Sequence, residues 1–156
     1  MIATDYSKDR SDYVLFSIEG HEFALHVANV KDVVPAVKIT RIPQARKEVF
    51  GVLNLRGRIV TVIDTKKILD LGSYCADQGK LNIVVEYSGE DYALMVDEVS
   101  EVLDYSMDTY EDPPRTMDKG WKALADGVHK TDDGLMLVLS VEAIMSFLEE
   151  DSIKVN

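Results

Sequence analysis

The stretch Gly20-His-Glu-Phe-Ala-Leu-His-Val-Ala-Asn-Val-Lys-Asp-Val-Val34 returns, without a gap, as Gly89-Glu-Asp-Tyr-Ala-Leu-Met-Val-Asp-Glu-Val-Ser-Glu-Val-Leu103. At this constant offset of 69, six of the fifteen positions are identical. They are Gly20/Gly89, Ala24/Ala93, Leu25/Leu94, Val27/Val96, Val30/Val99 and Val33/Val102. Four further pairs keep their chemistry: Glu22/Asp91, Phe23/Tyr92, Asp32/Glu101 and Val34/Leu103. A second stretch, Ile59 to Leu69, faces Leu135 to Met145 at an offset of 76, with Gly51 facing Gly127. Any two β-hairpins share some alternation. Two stretches in the same order, with the offset growing once from 69 to 76, identify an internal duplication.

Each copy opens on a hairpin pattern. Tyr13-Val-Leu-Phe-Ser-Ile18, the Glu19-Gly20 turn and Glu22 to Val27 form the first; Asn82 to Tyr87, Ser88-Gly89 and Asp91 to Val96 form the second. Each copy closes on a short helix behind a good N-cap, Asp64 or Ser140. After Ser140, Val141, Ile144, Met145 and Leu148 recur at helical spacing. A half of about 60 residues with four or five short strands removes its exposed edges most economically by closing on itself. The expectation is an all-β chain of two small five-stranded barrels, SH3- or OB-like, with short helices including one at the C-terminus. The halves run from about 13 to 72 and 82 to 148, a division compatible with strands exchanged between barrels. Residues 1–12 hold five charges and few apolar groups and predict a flexible tail; residues 149–156 predict an acidic one. Asp104 to Trp121, with Pro113-Pro114 and little periodicity, predicts a long acidic loop.

The composition narrows the function. In 156 residues, 28 acidic side chains stand against 17 Lys plus Arg, a net charge of -11. Polyanion binding needs clustered cations, so nucleic acid and anionic membranes are poor partners. With 8% aromatics there is no stacking platform for single strands. No apolar run approaches a membrane span, and Cys75, the single cysteine, cannot form an internal disulfide. A polar start and one cysteine predict the cytoplasm. His21, His26 and His129 lack partners at metal-ligand spacing, so neither a metal nor a cofactor is expected. No phosphate loop or nucleophile elbow occurs. The acidic pairs Asp97-Glu98 and Glu149-Glu150 leave open an enzyme reading, and the small barrels a small-molecule-binding one.

One segment stands out. Phe50-Gly-Val-Leu-Asn-Leu-Arg-Gly-Arg-Ile-Val-Thr-Val-Ile-Asp64 sets Arg56 in a turn between two apolar strands, where its planar fork can hold a carboxylate. Val30-Lys-Asp-Val-Val-Pro35, Ile39-Thr-Arg-Ile-Pro43, Gly51 to Gly57, Val62-Ile-Asp64 and Val96-Asp-Glu-Val99 together resemble the CheW family, from about Tyr13 to Leu148. Asp32 stands where that family often has Glu, Thr61 where it often has Pro, and Arg46 where it often has a second Pro after Pro43.

The resemblance implies a two-barrel, non-enzymatic adaptor that couples chemoreceptor tips to the regulatory domain of the chemotaxis histidine kinase. A chemosensory pathway other than chemotaxis is equally compatible with it. Carried onto matching positions, Val30, Asp32, Arg56, Val99 and Val102 are expected to form or support a receptor-binding groove between the barrels. Val30 and Val102 fit core packing equally well. Ile39, Ile42 and Pro43 are expected at the kinase contact, and other CheW-like domains are further candidate partners. Arg56 is expected to pair with Asp32 and fix the groove wall.

Overall fold

Two-residue turns decide where the strands begin. Glu19-Gly20, Arg56-Gly57 and Ser88-Gly89 each place two successive residues at positive φ, between 52° and 84°. This backbone matches the twist of a tight hairpin and favours Gly at the second position. The computed structural model describes residues 10–35, 38–43, 45–75 and 81–155, with backbone alone for 150–155. In chain order the elements are β1 (Arg10–Ile18), β2 (His21–His26), β3 (Val30–Pro35), β4 (Val49–Leu55), β5 (Arg58–Ile63) and α1 (Thr65–Ile68). Then follow β6 (Leu81–Tyr87), β7 (Glu90–Val96), β8 (Glu98–Ser106), β9 (Tyr110–Glu111), α2 (Lys119–Leu124), β10 (Ala125–Thr131), β11 (Gly134–Leu139) and α3 (Val141–Val155).

The strands form a six-stranded sheet, β8-β1-β2-β11-β10-β9, and a five-stranded sheet, β3-β6-β7-β5-β4. Exchanging repeat partners (β1 with β6, β2 with β7, β3 with β8, β4 with β10, β5 with β11) turns the second order into the first without β9. Each sheet thus joins the opening hairpin of one copy to later strands of the other.

The expected closed barrels do not form. Among the described residues no ladder joins β3 to β4 or β8 to β9, so both sheets are open. Their edges are blunted by other means. Thr40 forms a bridge to Val52 on the free edge of β4, β3 ends on Pro35, and β9 is two residues long. Bulges at Val30/Asp32 and Val49/Gly51 bend the edge strands β3 and β4, and one at Ala125/Gly127 bends β10 beside the short edge strand β9.

The repeated glycines serve these edges. A Cβ on Gly51 would lie 2.3 Å from the Thr40 carbonyl oxygen, and one on Gly127 would lie 2.3 Å from the Tyr110 ring. Each glycine is a bare patch onto which a neighbouring segment closes.

Most strands are buried on both faces, which explains their nearly continuous apolar runs. A central core draws on both sheets: Phe16, Phe23, Leu25 and Leu137 from one, Ile63, Ile83 and Leu94 from the other, with Ile144 and Met145 of α3. The alternate residues build smaller clusters. Phe50, Leu53, Val60, Val62 and Met95 pack with Tyr74; Tyr13, Leu15, Met136 and Val138 pack on the outer side of the six-stranded sheet.

Several sequence boundaries move. Strand β1 starts at Arg10, so Arg10 to Asp12 are not tail; residues 1–9 lie outside the described residues. Helix α3 runs to Val155 through the expected acidic tail. The expected loop over Asp104–Trp121 is largely ordered, because its own side chains cap its turns and other segments hold it. Ser106 Oγ accepts the Asp108 N–H at 3.1 Å, Tyr110 donates to Asp126 at 2.6 Å, and Asp118 caps α2 through the Gly120 and Trp121 N–H groups.

His129 anchors this strap. It is fully buried, with Nε2 2.8 Å from the Tyr13 hydroxyl and Nδ1 2.9 Å from Thr109 Oγ1. Burial, reinforced by the nearby His26, holds its pKa below the ordinary value of 6.5. As pH falls through that value the unfolded chain takes the proton first, so stability is lost on acidification. Between pH 7.5 and 5.5 the melting temperature should fall more for the parent than for His129→Gln. Equal slopes would show that His129 does not carry the effect.

Candidate functional site

The Asn54-Leu-Arg-Gly57 turn is built residue by residue. Asn54 Oδ1 accepts the Gly57 N–H at 3.0 Å, closing the turn, and Leu55 packs against the Phe50–Leu53 cluster. Arg56, at φ 53°, projects from the left-handed position. Its Nη2 lies 3.1 Å from Asp32 Oδ2, and the other Asp32 oxygen accepts the Val33 N–H at 2.9 Å.

This ion pair has a topological meaning. Asp32 sits on β3 and Arg56 at the end of β4, the two edge strands of the five-stranded sheet. The pair therefore ties the seam that backbone pairing leaves open. The Arg56 side chain is 75% exposed and that of Asp32 31%, so this is a surface bridge worth about 0–1 kcal/mol. Beside it, Lys31 Nζ and Arg58 Nη1 reach Asp91 at 2.9 and 3.5 Å.

The valines fall on equivalent edges. Val30 begins β3 and Val99 lies near the start of β8, the edge strand of the other sheet. Both are half-buried against the central core. They mark the two margins of the apolar layer that the sheets share. Val102, offered equally as core, is instead 61% exposed, on β8 where that strand forms the free edge of its sheet.

Ile39, Ile42 and Pro43 lie elsewhere, along β4. Ile39 is half-buried on the Phe50–Leu53 cluster, Ile42 is 41% exposed and Pro43 is exposed. Thr40 and Val52 exchange both backbone hydrogen bonds at 2.8 Å, and the Arg41 guanidinium lies 4.3 Å from the Phe50 ring centroid. The structure thus brings Asp32 and Arg56 together, sets Val30 and Val99 on one core, and keeps the 39–43 segment apart.

Of the acidic candidates, Asp97 has structural partners. Asp97 Oδ1 accepts the Tyr74 hydroxyl at 2.7 Å and Oδ2 accepts the Glu19 N–H at 2.7 Å, while the Asp97 N–H donates to Ser17. It joins the β1–β2 turn to the β7–β8 junction. Sequence reasoning saw only an acidic pair, since its partners are 78 and 23 residues away. Asp64, fully buried, accepts the N–H groups of Lys66, Lys67 and Tyr74 at 3.0–3.3 Å. Burial pushes its carboxyl upward against the pull of those amides. Cys75 is exposed. Among the described residues no helix is long and apolar enough to cross a membrane.

The comparisons with known proteins agree with this geometry. The Thermotoga maritima protein named Chemotaxis protein CheW is 33% identical over 139 residues, covering 89% of this chain and 88% of the relative. The Bacillus subtilis protein of the same name is 27% identical over 132 residues, 85% of each chain. A solved structure, the scaffolding protein TtCheW from Thermoanaerobacter tengcongensis, superposes with a TM-score of 0.74 at 33% identity, covering 84% of each chain. The CheW-like domain model matches residues 12–149. With nearly the whole described fold inside that match, the chain belongs to the CheW-like domain family.

Proposed function

We propose that this chain is a cytoplasmic, non-enzymatic chemotaxis adaptor that couples the cytoplasmic tip of a chemoreceptor to the regulatory domain of a chemotaxis histidine kinase. The observation that carries the reading is that two edge strands from different sheets, β3 and β8, border one apolar layer. Val30 and Val99 line its margins, and Asp32 on β3 holds Arg56 from the end of β4. A helical receptor tip needs an apolar floor and a few polar fixers, and this margin supplies both. Val102, exposed on β8, adds an aliphatic contact on the same strand. The separate 39–43 segment, with Ile42 and Pro43 outward, leaves a second surface for the kinase.

The test uses a purified receptor-tip fragment. Arg56→Ala should weaken its binding about tenfold, within the range for a lost interfacial charge. Because the ion pair is a surface one, the same variant should cost no more than about 1 kcal/mol of stability. Unchanged affinity would remove Arg56 from the docking surface.

A further inference from the structure

Trp121 on α2 has a well-made seat. Its ring centroid lies 5.3 Å from those of both Phe23 and His21, and its Nε1–H donates to the Leu69 carbonyl at 2.7 Å. The duplication gives this seat a counterpart on the five-stranded sheet. Phe23 corresponds to Tyr92 and His21 to Glu90 at the offset of 69; Leu137 corresponds to Thr61 and Leu139 to Ile63 at the offset of 76.

The correspondence reaches α2 through the backbone. The Ser140 N–H donates to the Leu124 carbonyl at 2.8 Å, and the Asp64 N–H donates to the Glu48 carbonyl at 2.8 Å. Donors and acceptors in these two bonds are related by the same offset of 76. Three residues earlier, Trp121 corresponds to Ala45. Where one sheet carries an indole, the other carries a methyl group.

The space is there. A cleft of about 550 Å³ lies over Thr61, Ile63 and Tyr92, with Met145 and Leu148 of α3 opposite and Arg46, the neighbour of Ala45, at its rim. Its floor is the open margin of the central core, made by the strands equivalent to those beneath Trp121. The rim is acidic: Glu149 lines the cleft, and the charges of Glu90 and Glu149 both act on the Tyr92 hydroxyl. Arg46 does not offset this, since it bonds Glu48 at 3.0 Å and the Leu148 carbonyl.

We infer that this cleft is a protein-docking site that takes a tryptophan side chain from a partner segment with lysine or arginine beside it. The internal copy defines the shape, and the acidic rim defines the flanks. The inference does not depend on the receptor-coupling reading.

The experiment titrates the ¹⁵N-labelled full chain with the peptide acetyl-Lys-Lys-Trp-Lys-Gly-amide and with its Trp→Ala counterpart. The Trp peptide should shift the amides of Thr61, Tyr92 and Leu148 and bind at least about tenfold more tightly, as expected of an aromatic anchor in a pocket. Added salt should weaken it. Ala45→Trp should fill the cleft from within and abolish the shifts. Glu149→Lys, at an exposed helix position, should weaken binding without disturbing the fold. Equal binding of the two peptides, or shifts confined to other surfaces, would overturn the inference. So would free N-acetyl-tryptophanamide binding as tightly as the peptide, which would mark a small-molecule site. Dimerisation of the chain blocked by Ala45→Trp would show a second copy to be the occupant and overturn it too.

Discussion

Gly51→Ala should release the 38–43 segment from β4 and lower stability by about 1–3 kcal/mol, the range for overpacking a close contact. The added Cβ would stand 2.3 Å from the Thr40 carbonyl oxygen and 3.0 Å from Ile39 Cγ2. The first is backbone, held by paired hydrogen bonds to Val52, so neither a rotamer change nor a small tilt relieves it. In a domain of this size each kcal/mol moves the melting temperature by about 2–4 °C. Amide exchange supplies the local readout: the Thr40 and Val52 N–H groups should lose protection while the β6–β7 ladder keeps its own. If the 39–43 surface meets the kinase, affinity for the kinase regulatory domain should fall with it. A melting temperature within a degree of the parent and an unchanged Thr40 exchange rate would contradict the packing argument.

Asp64→Ala should be costlier still. The carboxylate is fully buried and satisfies three backbone N–H groups, two at the start of α1 and one at Tyr74 ten residues on. Removing a helix cap costs about 1 kcal/mol, and each buried donor left without a partner costs about 1–3 kcal/mol more. Some of those amides will recruit water, so a loss of about 2–4 kcal/mol is expected in urea unfolding. Asp64→Asn keeps one acceptor oxygen and should recover part of it. The loss should also loosen Tyr74, whose ring packs on the Phe50–Leu53 cluster and whose hydroxyl reaches Asp97. A loss below about 0.5 kcal/mol for Asp64→Ala would be typical of a surface site and would refute this role.

What the sequence could and could not say follows from the range of the interactions involved. The hairpins were legible because a tight turn and alternating strands are local, and the Asp64 and Ser140 caps were legible for the same reason. The Arg56–Asp32 pair was legible because both residues sit in motifs of a resembling family and one lies in a constrained turn. Barrel closure was misjudged, because edge protection by Thr40 and by a two-residue β9 depends on distant glycines. The Asp104–Trp121 segment read as loop because, beyond its own Ser106 and Asp118 caps, its order comes from Asp126, His129 and Gly127 rather than from a periodic pattern. Asn82 was equally illegible: it is fully buried on β6 with neither amide atom hydrogen-bonded, and nothing in its neighbours along the chain marks it. The Trp121 seat and its vacant counterpart emerge only when the repeat is laid on the fold.

The coupling itself is tested most directly by sedimentation of three purified components: this chain, a receptor-tip fragment and the kinase regulatory domain. The account predicts that one copy of the chain binds both partners at once, so receptor fragment and kinase domain co-sediment through it. Arg56→Ala should release only the receptor fragment and Gly51→Ala only the kinase domain. Competition between the two partners for one surface, or binding to neither, would contradict it.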